Sequence, residues 1–248
     1  MVSIKATFTN FYYQLKILQR ERWQWVKLFV IMPVNMILPY YFMLKYFANE
    51  NVLRITIYTT LSWAYAYFTV FESFMAREQV FKSRKLENLL ISPFSLFNWI
   101  IGQTFAINIF YLSSFIISGA IIFLLGGIVL KPLSFVILLV VSFVNSVIFN
   151  ILICSLQLRR NNIFHILNFS MDIVMIFACV IYPISFLPII FRPFSYIMPF
   201  YYAIEFIRNP SFRVLALCFI LCIGYFVLAI YLINSSILKY KEKGGFYV

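Results

Sequence analysis

Long apolar runs separated by short polar segments dominate the chain. Six of these runs approach or exceed the roughly 20 residues that an α-helix needs to cross the hydrocarbon core of a bilayer. The pattern predicts an all-α integral membrane protein with six transmembrane helices, folded as a single domain over residues 1–248. The predicted spans are 27–47, 55–76, 99–125, 133–156, 164–187 and 210–236.

The segment 1–26 predicts an amphipathic helix that does not span the membrane. Apolar side chains such as Ile4 and Phe8 recur at steps of three, four and seven, and charged side chains occupy the other faces. Because these charges are too many for a membrane core, we expect an interface helix along the cytoplasmic surface. In the first span, Pro33 and Pro39 predict a kinked helix whose freed carbonyls need neighbouring donors.

The segment 187–209, just before the last span, is apolar but interrupted by prolines. Pro188, Pro193 and Pro199 exclude one straight helix. We therefore expect a re-entrant hairpin of two short half-helices dipping into the outer leaflet. Irregular backbone at that depth is tolerated only when it is buried in protein or lines a wet cavity, which favours an outer gate. The alternative is an interfacial loop that only connects the last two spans.

The distribution of charge predicts the orientation and narrows the class of partner. With the N-terminus inside, most of the 20 lysines and arginines fall on the cytoplasmic side, so both termini are predicted to be cytoplasmic. Only 11% of residues are charged, against about 25% in soluble domains, which excludes an ordinary soluble protein. The net charge of the chain is +12, and its lysines and arginines lie at the flanks of the apolar runs. This placement favours anionic lipid headgroups over nucleic acid as the partner of the basic residues.

The chain offers little catalytic chemistry. It contains one histidine and lacks the HExxH and GxSxG motifs and any metal-ligand spacing, so we expect neither an enzyme nor a metal site. It also lacks the GxxxxGK[ST] motif, so it does not bind ATP through a P-loop. The four cysteines lie inside apolar runs, and we interpret them as packing residues.

Two stripes of polar side chains follow helical spacing along predicted spans. An ionised side chain at the centre of a bilayer costs roughly 2.5–3.5 kcal/mol on insertion scales, so such residues usually face the bundle interior or water. We therefore predict that both stripes line a translocation path. The alternative for the two members nearest the cytoplasm, Glu72 and His165, is that they reach the headgroup region. The stripes are Ser62, Tyr65, Thr69 and Glu72 in the second span, and His165, Asn168 and Asp172 in the fifth.

The longest polar interruption, residues 77–98, carries the most specific motif. The cytoplasmic loop of type-2 ATP-binding-cassette (ABC-2) export permeases typically reads E…G-T-x-E-x-L-L-x-S-P-x-S, and a glycine then opens the third span. This chain resembles that loop at Glu78, at residues 85–93 (KLENLLISP) and at Gly102. Ser83-Arg84 stands where the family commonly has Gly-Thr.

Two further segments bear on the resemblance. The outer segment from Pro188 to Arg208 looks like the family's hairpin ahead of its last span. The polysaccharide-exporting branch usually carries R-D-x-K-x-R-Y after its amphipathic helix, whereas residues 20–25 read RERWQW. This mismatch at residues 20–25 disfavours, without excluding, a lipid-linked glycan as the substrate.

The resemblance implies a permease subunit of an ATP-driven exporter in the cytoplasmic membrane of a bacterium. Two permease chains, identical or different, would pair, and two copies of a separate ATPase subunit would bind ATP and Mg²⁺. A coupling helix within 77–98 would contact the ATPase, and the hairpin would form the outer gate. The implied coupling contacts are Glu78, Lys85, Glu87, Leu89, Leu90 and Pro93, and the implied gate residues are Pro188, Pro199, Tyr202, Glu205 and Arg208.

The leading functional hypothesis is export of an amphipathic or hydrophobic compound, such as a drug, an antimicrobial or toxin-like peptide, or a lipid. Export of a lipid-linked polysaccharide or a teichoic-acid-like polymer is the alternative within the same class. A membrane-embedded enzyme and an ATP-independent channel or scaffold are alternatives from other classes. The enzyme needs a cluster of acid, base or metal ligands, and the sequence offers only His165 with Asp172 on one helix.

Overall fold

All regular secondary structure in the described part of the chain is helical. The computed structural model describes residues 4–31, 33–34, 50–82, 96–126, 132–159 and 163–242. The longer helices are α1 (Ile4–Arg20), α3 (Glu50–Lys82), α4 (Leu96–Gly126), α5 (Pro132–Gln157), α6 (Phe164–Phe177), α8 (Pro199–Arg208) and α9 (Phe212–Glu242). The shorter ones are α2 (Arg22–Val26), a π-helix (Lys27–Ile31), two 3₁₀ turns (Ile184–Phe186 and Ile189–Phe191) and α7 (Arg192–Ile197).

Three of the described helices are long and apolar enough to cross a membrane, as a membrane protein requires. The qualifying segments are Leu96–Ile121 of α4, Ser134–Gln157 of α5 and Phe212–Lys239 of α9. They correspond to the third, fourth and sixth predicted spans. Helix α6 is apolar but has only 14 residues, fewer than the roughly 20 that span a bilayer. Most of the predicted first span, with Pro39, lies outside the described residues.

Helix α6 is shorter than the predicted fifth span because the chain turns sharply at its end. The backbone of Cys179 has φ of 56°, a left-handed conformation that ends a helix. Two 3₁₀ turns and α7 follow before α8 begins at Pro199. Seven of the 10 residues of α8 are buried, and this helix packs against α3, α5 and α9. The predicted segment 187–209 therefore contains short helices, the last of which lies inside the bundle.

Helix α3, the second predicted span, lies at the centre of the bundle. Its 33 residues extend over roughly 50 Å. One apolar face, with Ile57 and Leu61, packs with side chains of α4. Another, with Trp63 and Val70, packs with side chains of α6 and α8. Most side chains of α3 between residues 56 and 70 are therefore buried.

The helix continues past the predicted boundary between the second span and the coupling loop. We predicted a loop over 77–98, but α3 extends to Lys82 and α4 begins at Leu96. The segment after residue 76 contains no proline or glycine before Lys82, and the ring of Phe81 lies 6.4 Å from that of Trp99 in α4. Packing against α4 thus continues the helix into the predicted loop.

The predicted amphipathic helix is two helices, because the chain breaks at Glu21. The backbone of Glu21 is extended, with φ of −80° and ψ of 104°. The indole N–H of Trp25 donates to the carbonyl of Gln19 at 2.8 Å, which satisfies a carbonyl just before the break. None of the α1 side chains is buried, so apolar residues such as Phe8 remain exposed, as on a helix that lies at an interface.

A π-helix follows α2 and leads into Pro33. In a π-helix each N–H pairs with the carbonyl five residues earlier, and Pro33 has no N–H to offer the carbonyl of Leu28. The hydroxyl of Ser114 in α4 donates to that carbonyl at 2.8 Å. Leu28 and Ser114 are both fully buried. A neighbouring helix thus supplies the donor that the proline-containing segment needs.

The contact between α1 and α4 depends on Gly102. A Cβ atom at Gly102 would lie 2.9 Å from the Cβ of Asn10 and 2.9 Å from the backbone nitrogen of Phe11. Backbone atoms cannot move away cheaply, so only glycine permits this close approach. The glycine that matches the family motif therefore has a packing role at this position.

We predict that Gly102→Ala and Gly224→Ala shift stability in opposite directions. Alanine at position 102 collides with α1 and should lower the midpoint of thermal unfolding in detergent by roughly 2–8 °C, the effect of about 1–2 kcal/mol of overpacking. Gly224 has no atom within 4 Å of its added Cβ, so alanine there should leave the midpoint unchanged or raise it slightly. Equal shifts for the two variants would contradict the assigned contact.

Candidate functional site

Three members of the predicted polar stripe of α3 are sealed between helices. Ser62, Tyr65 and Thr69 are fully buried, and each forms a hydrogen bond with a side chain or carbonyl of α4 or α5. The pairs are Ser62 with Ser142 at 2.6 Å, Tyr65 with the carbonyl of Asn108 at 3.0 Å, and Thr69 with Ser146. In this arrangement the three side chains join the central helix to its neighbours, and their predicted role in a translocation path stays a prediction.

Glu72, the fourth member, faces a cavity. Its Oε1 atom lies 2.7 Å from the Nζ atom of Lys27, and both side chains are partly buried. The cavity has a volume of about 680 Å³ and lies between α1, the segment from Glu21 to Lys27, α3 and α4. The described lining residues are Tyr13, Gln14, Ile17, Leu18, Glu21, Gln24, Lys27, Phe71, Glu72, Met75, Ala76, Gln79, Val80, Trp99, Gln103 and Ile107.

A chain of hydrogen bonds orients the polar wall of this cavity. The hydroxyl of Tyr111 in α4 donates to Oε1 of Gln24 at 2.7 Å. The amide nitrogen of Gln24 then donates to a carboxylate oxygen of Glu21 at 3.2 Å. Because Tyr111 is fully buried, it fixes Gln24, and Gln24 holds Glu21 at the break between α1 and α2.

The stripe of α6 faces away from the bundle. His165 and Asp172 are exposed, and Asn168 is partly buried. The opposite face of α6, with Leu167 and Met171, is buried against α3. The two predicted stripes therefore do not meet within one chain, since that of α3 faces α4 and α5 while that of α6 points outward.

Arg77 is a buried charge that the sequence did not single out. It is fully buried near the end of α3. Its Nε donates to Oε1 of Gln157 at 3.2 Å, and its Nη2 donates to the carbonyl of Asn150 at 3.4 Å. Among the described residues, neither its Nη1 nor the side-chain amide of Asn150 has a hydrogen-bond partner. Within the described segments no carboxylate forms an ion pair with Arg77. The available signal was the spacing of Asn150 and Gln157, two helical turns apart on one helical face at the end of the predicted fourth span.

Two of the predicted gate residues, Arg208 and Glu205, form hydrogen bonds near the end of α8. The guanidinium of Arg208 donates to the carbonyl of Cys179 at 2.6 Å, so α8 is tied to the turn that ends α6. Oε1 of Glu205 accepts a hydrogen bond from the Asn209 amide at 2.7 Å. The other members are placed differently: Pro188 is exposed, Pro199 is buried and Tyr202 is partly buried.

Among the predicted coupling contacts, only Glu78 lies in the described part of the chain, within α3. Lys85, Glu87, Leu89, Leu90 and Pro93 lie outside the described residues. All four cysteines are buried and free. The described residues bring together no group of three or more His, Cys, Asp and Glu side chains that could hold a metal ion.

No protein-family model matches the chain, and comparison with curated proteins finds no similar sequence. The function is therefore inferred from the residues themselves.

We predict that Arg77→Met raises stability while Gln157→Leu lowers it. Methionine removes a buried charge that has no ion-pair partner among the described residues, so the folded state no longer has to desolvate that charge. Leucine at position 157 removes the acceptor of the guanidinium and should cost about 1–3 kcal/mol. Thermal unfolding in detergent measures both shifts.

The double variant and an exposed arginine serve as controls. With both substitutions the loss from Gln157→Leu should shrink, because the charge that needed the acceptor is gone. Arg159→Met, at an exposed arginine that donates to Ser236, should change the midpoint little. A drop for Arg77→Met as large as that for Gln157→Leu would show that the guanidinium is well compensated.

Proposed function

We propose that this chain is the permease subunit of an ABC-2-type exporter. It forms the translocation path for an amphipathic or hydrophobic compound, and a separate ATPase subunit hydrolyses ATP. The proposed topology has six spans, both termini in the cytoplasm of a bacterium and a re-entrant outer hairpin. The observation that carries the proposal is the outward-facing polar stripe of α6, taken together with the loop motif at residues 85–93.

The polar stripe of α6 requires water or another polar protein surface beside it, because His165 and Asp172 are exposed. Asp172 is exposed on the same helix as Phe169 and Ile176, which are 67% and 43% exposed. A carboxylate against acyl chains at mid-bilayer would cost roughly 2.5–3.5 kcal/mol. A second permease chain facing α6 across a water-filled path removes that cost. This arrangement accounts for polar side chains that a bundle of one chain leaves on its surface.

Helix α3 is suited to carry motion from the ATPase to the path. It continues as one helix to Lys82, which lies inside the predicted coupling loop of residues 77–98. Its buried hydroxyls form hydrogen bonds with α5, so displacement of its end is passed to the neighbouring helix. The proposed contacts with the ATPase are Glu78, Lys85, Glu87, Leu89, Leu90 and Pro93.

The same helix reaches the proposed outer gate. The hydroxyl of Thr59, near the other end of α3, donates to the carbonyl of Val180 at 2.7 Å. Arg208 of α8 donates to the preceding carbonyl, that of Cys179. The turn after α6 is therefore held by α3 on one side and by α8 on the other, which supports coupled movement of these elements.

We predict that Glu87→Lys separates ATP hydrolysis from transport. The chain purified from its native membrane should carry an ATPase subunit with a P-loop motif, and amphipathic compounds should stimulate its hydrolysis. Lysine at position 87 reverses the charge at the proposed contact, so the complex should lose stimulation or fail to assemble. A fully coupled Glu87→Lys complex, or a chain active without any ATPase, would reject the proposal.

We predict that Asp172→Ala reduces transport by roughly tenfold or more at normal expression, since about 1.4 kcal/mol lost from the polar path corresponds to a factor of ten. Ser170→Ala is the control on the same helix, because among the described residues the Ser170 hydroxyl donates only to the carbonyl of Leu167 within α6. Transport in vesicles measures both variants. Full transport by Asp172→Ala would exclude the path from this face of α6.

A further inference from the structure

We propose that the cavity between α1 and the bundle is a binding site for an organic cation with aromatic or aliphatic groups. The site is distinct from the proposed path along α6, and its occupancy does not depend on whether the chain exports anything. Three observations carry the inference: the volume of the cavity, the composition of its wall and its charge.

The volume suits a small organic molecule. Ligand pockets commonly measure about 300–1,000 Å³, and this cavity measures about 680 Å³. Its floor is apolar, with Leu18, Phe71, Met75 and Ile107 among the lining residues. Apolar contacts of this kind bind hydrocarbon or aromatic groups and leave a charged group to the polar side of the wall.

The charge of the wall has the opposite sign to that of the chain. The net charge of the protein is +12, yet the described lining residues include two carboxylates, Glu21 and Glu72, and one amine, Lys27. Lys27 and Glu72 neutralise each other at 2.7 Å. Glu21 remains as the carboxylate of the described wall without a salt bridge. Its neighbours in the sequence, Arg20 and Arg22, are exposed and are not among the described lining residues, so the described wall itself carries one net negative charge and favours a cation over an anion.

Aromatic side chains add to this preference. Tyr13 and Trp99 line the same cavity as Glu21, and aromatic faces attract organic cations in addition to contacting apolar groups. Glu21 is held by Gln24, which is itself held by the buried Tyr111. The carboxylate is therefore positioned before a ligand arrives, which reduces the entropy cost of binding.

The test compares two probes of nearly equal shape. Methyltriphenylphosphonium is a cation, and triphenylphosphine oxide is its neutral counterpart, with an oxygen in place of the methyl group. The full chain is placed in nanodiscs of phosphatidylcholine, and empty nanodiscs give the background of membrane partitioning. Radiolabelled methyltriphenylphosphonium should bind saturably, and an excess of triphenylphosphine oxide should not displace it. Absence of saturable binding, or equal displacement by the neutral probe, overturns the proposal.

Variants of the wall test the role of charge. Glu21→Gln should weaken binding of methyltriphenylphosphonium by about threefold to fivefold, the size expected for a solvent-exposed charge pair. Because Glu21 is exposed, this variant should fold normally, as its thermal unfolding will show. Lys27→Gln leaves Glu72 uncompensated and should strengthen binding.

The matched control is Glu242→Gln, which makes the same charge change at the end of α9 and should leave binding unchanged. Affinity of Glu21→Gln equal to that of the original chain, or weaker binding by Lys27→Gln, would show that the wall does not select cations.

Discussion

The structure depends on one constraint: polar side chains on the central helix must find partners inside the bundle, because lipid offers none. Helix α3 carries hydroxyl groups along its length, and those of Thr59, Ser62 and Thr69 form hydrogen bonds outside the helix. The last two of these bonds join α3 to α5, and the hydroxyl of Tyr65 joins it to α4 by donating to the carbonyl of Asn108. Together they hold α3 between α4 and α5. The helix is therefore central because of its polarity, which is the reverse of the rule for soluble helices. Helix α3 is not among the three segments apolar enough to cross a membrane by composition. Its buried polar side chains pack against other helices, so they do not contact lipid and need not be apolar.

Arg77 is the exception that marks the end of this network. Within the described segments its guanidinium has two acceptors, one of them distant at 3.4 Å, and one nitrogen without a partner. A buried charge with incomplete hydrogen bonding costs free energy in the folded state. Arg77 lies between the hydrogen-bonded part of α3 and the end of that helix at Lys82. The side-chain amide of Asn150 likewise has no hydrogen-bond partner among the described residues.

Continuous apolar patterns predicted the third, fourth and sixth spans well, because a long lipid-facing helix must be apolar along its whole length. The end of α6 at Phe177 and the extension of α3 to Lys82 were missed, because both depend on contacts distant in the sequence: Arg208 with Cys179 and Phe81 with Trp99. Helical spacing likewise identified both polar stripes but not their directions. Spacing shows which residues share a face of a helix, whereas the neighbour of that face is decided by the packing of the other helices.

The packing of α1 explains why a cavity exists next to a tight contact. At Gly102 the backbone of α1 approaches α4 so closely that a single methyl group would collide with Asn10 and Phe11. The cavity begins two residues later at Tyr13 and extends to Lys27. Between these points the helix breaks at Glu21, and the chain turns toward Pro33, whose missing N–H is compensated by Ser114. The two fixed points, Gly102 and Ser114, lie more than three turns apart on helix α4, while the chain between their partners breaks at Glu21. The cavity lies between this broken segment, α3 and α4, so the break at Glu21 contributes to the space that the cavity occupies.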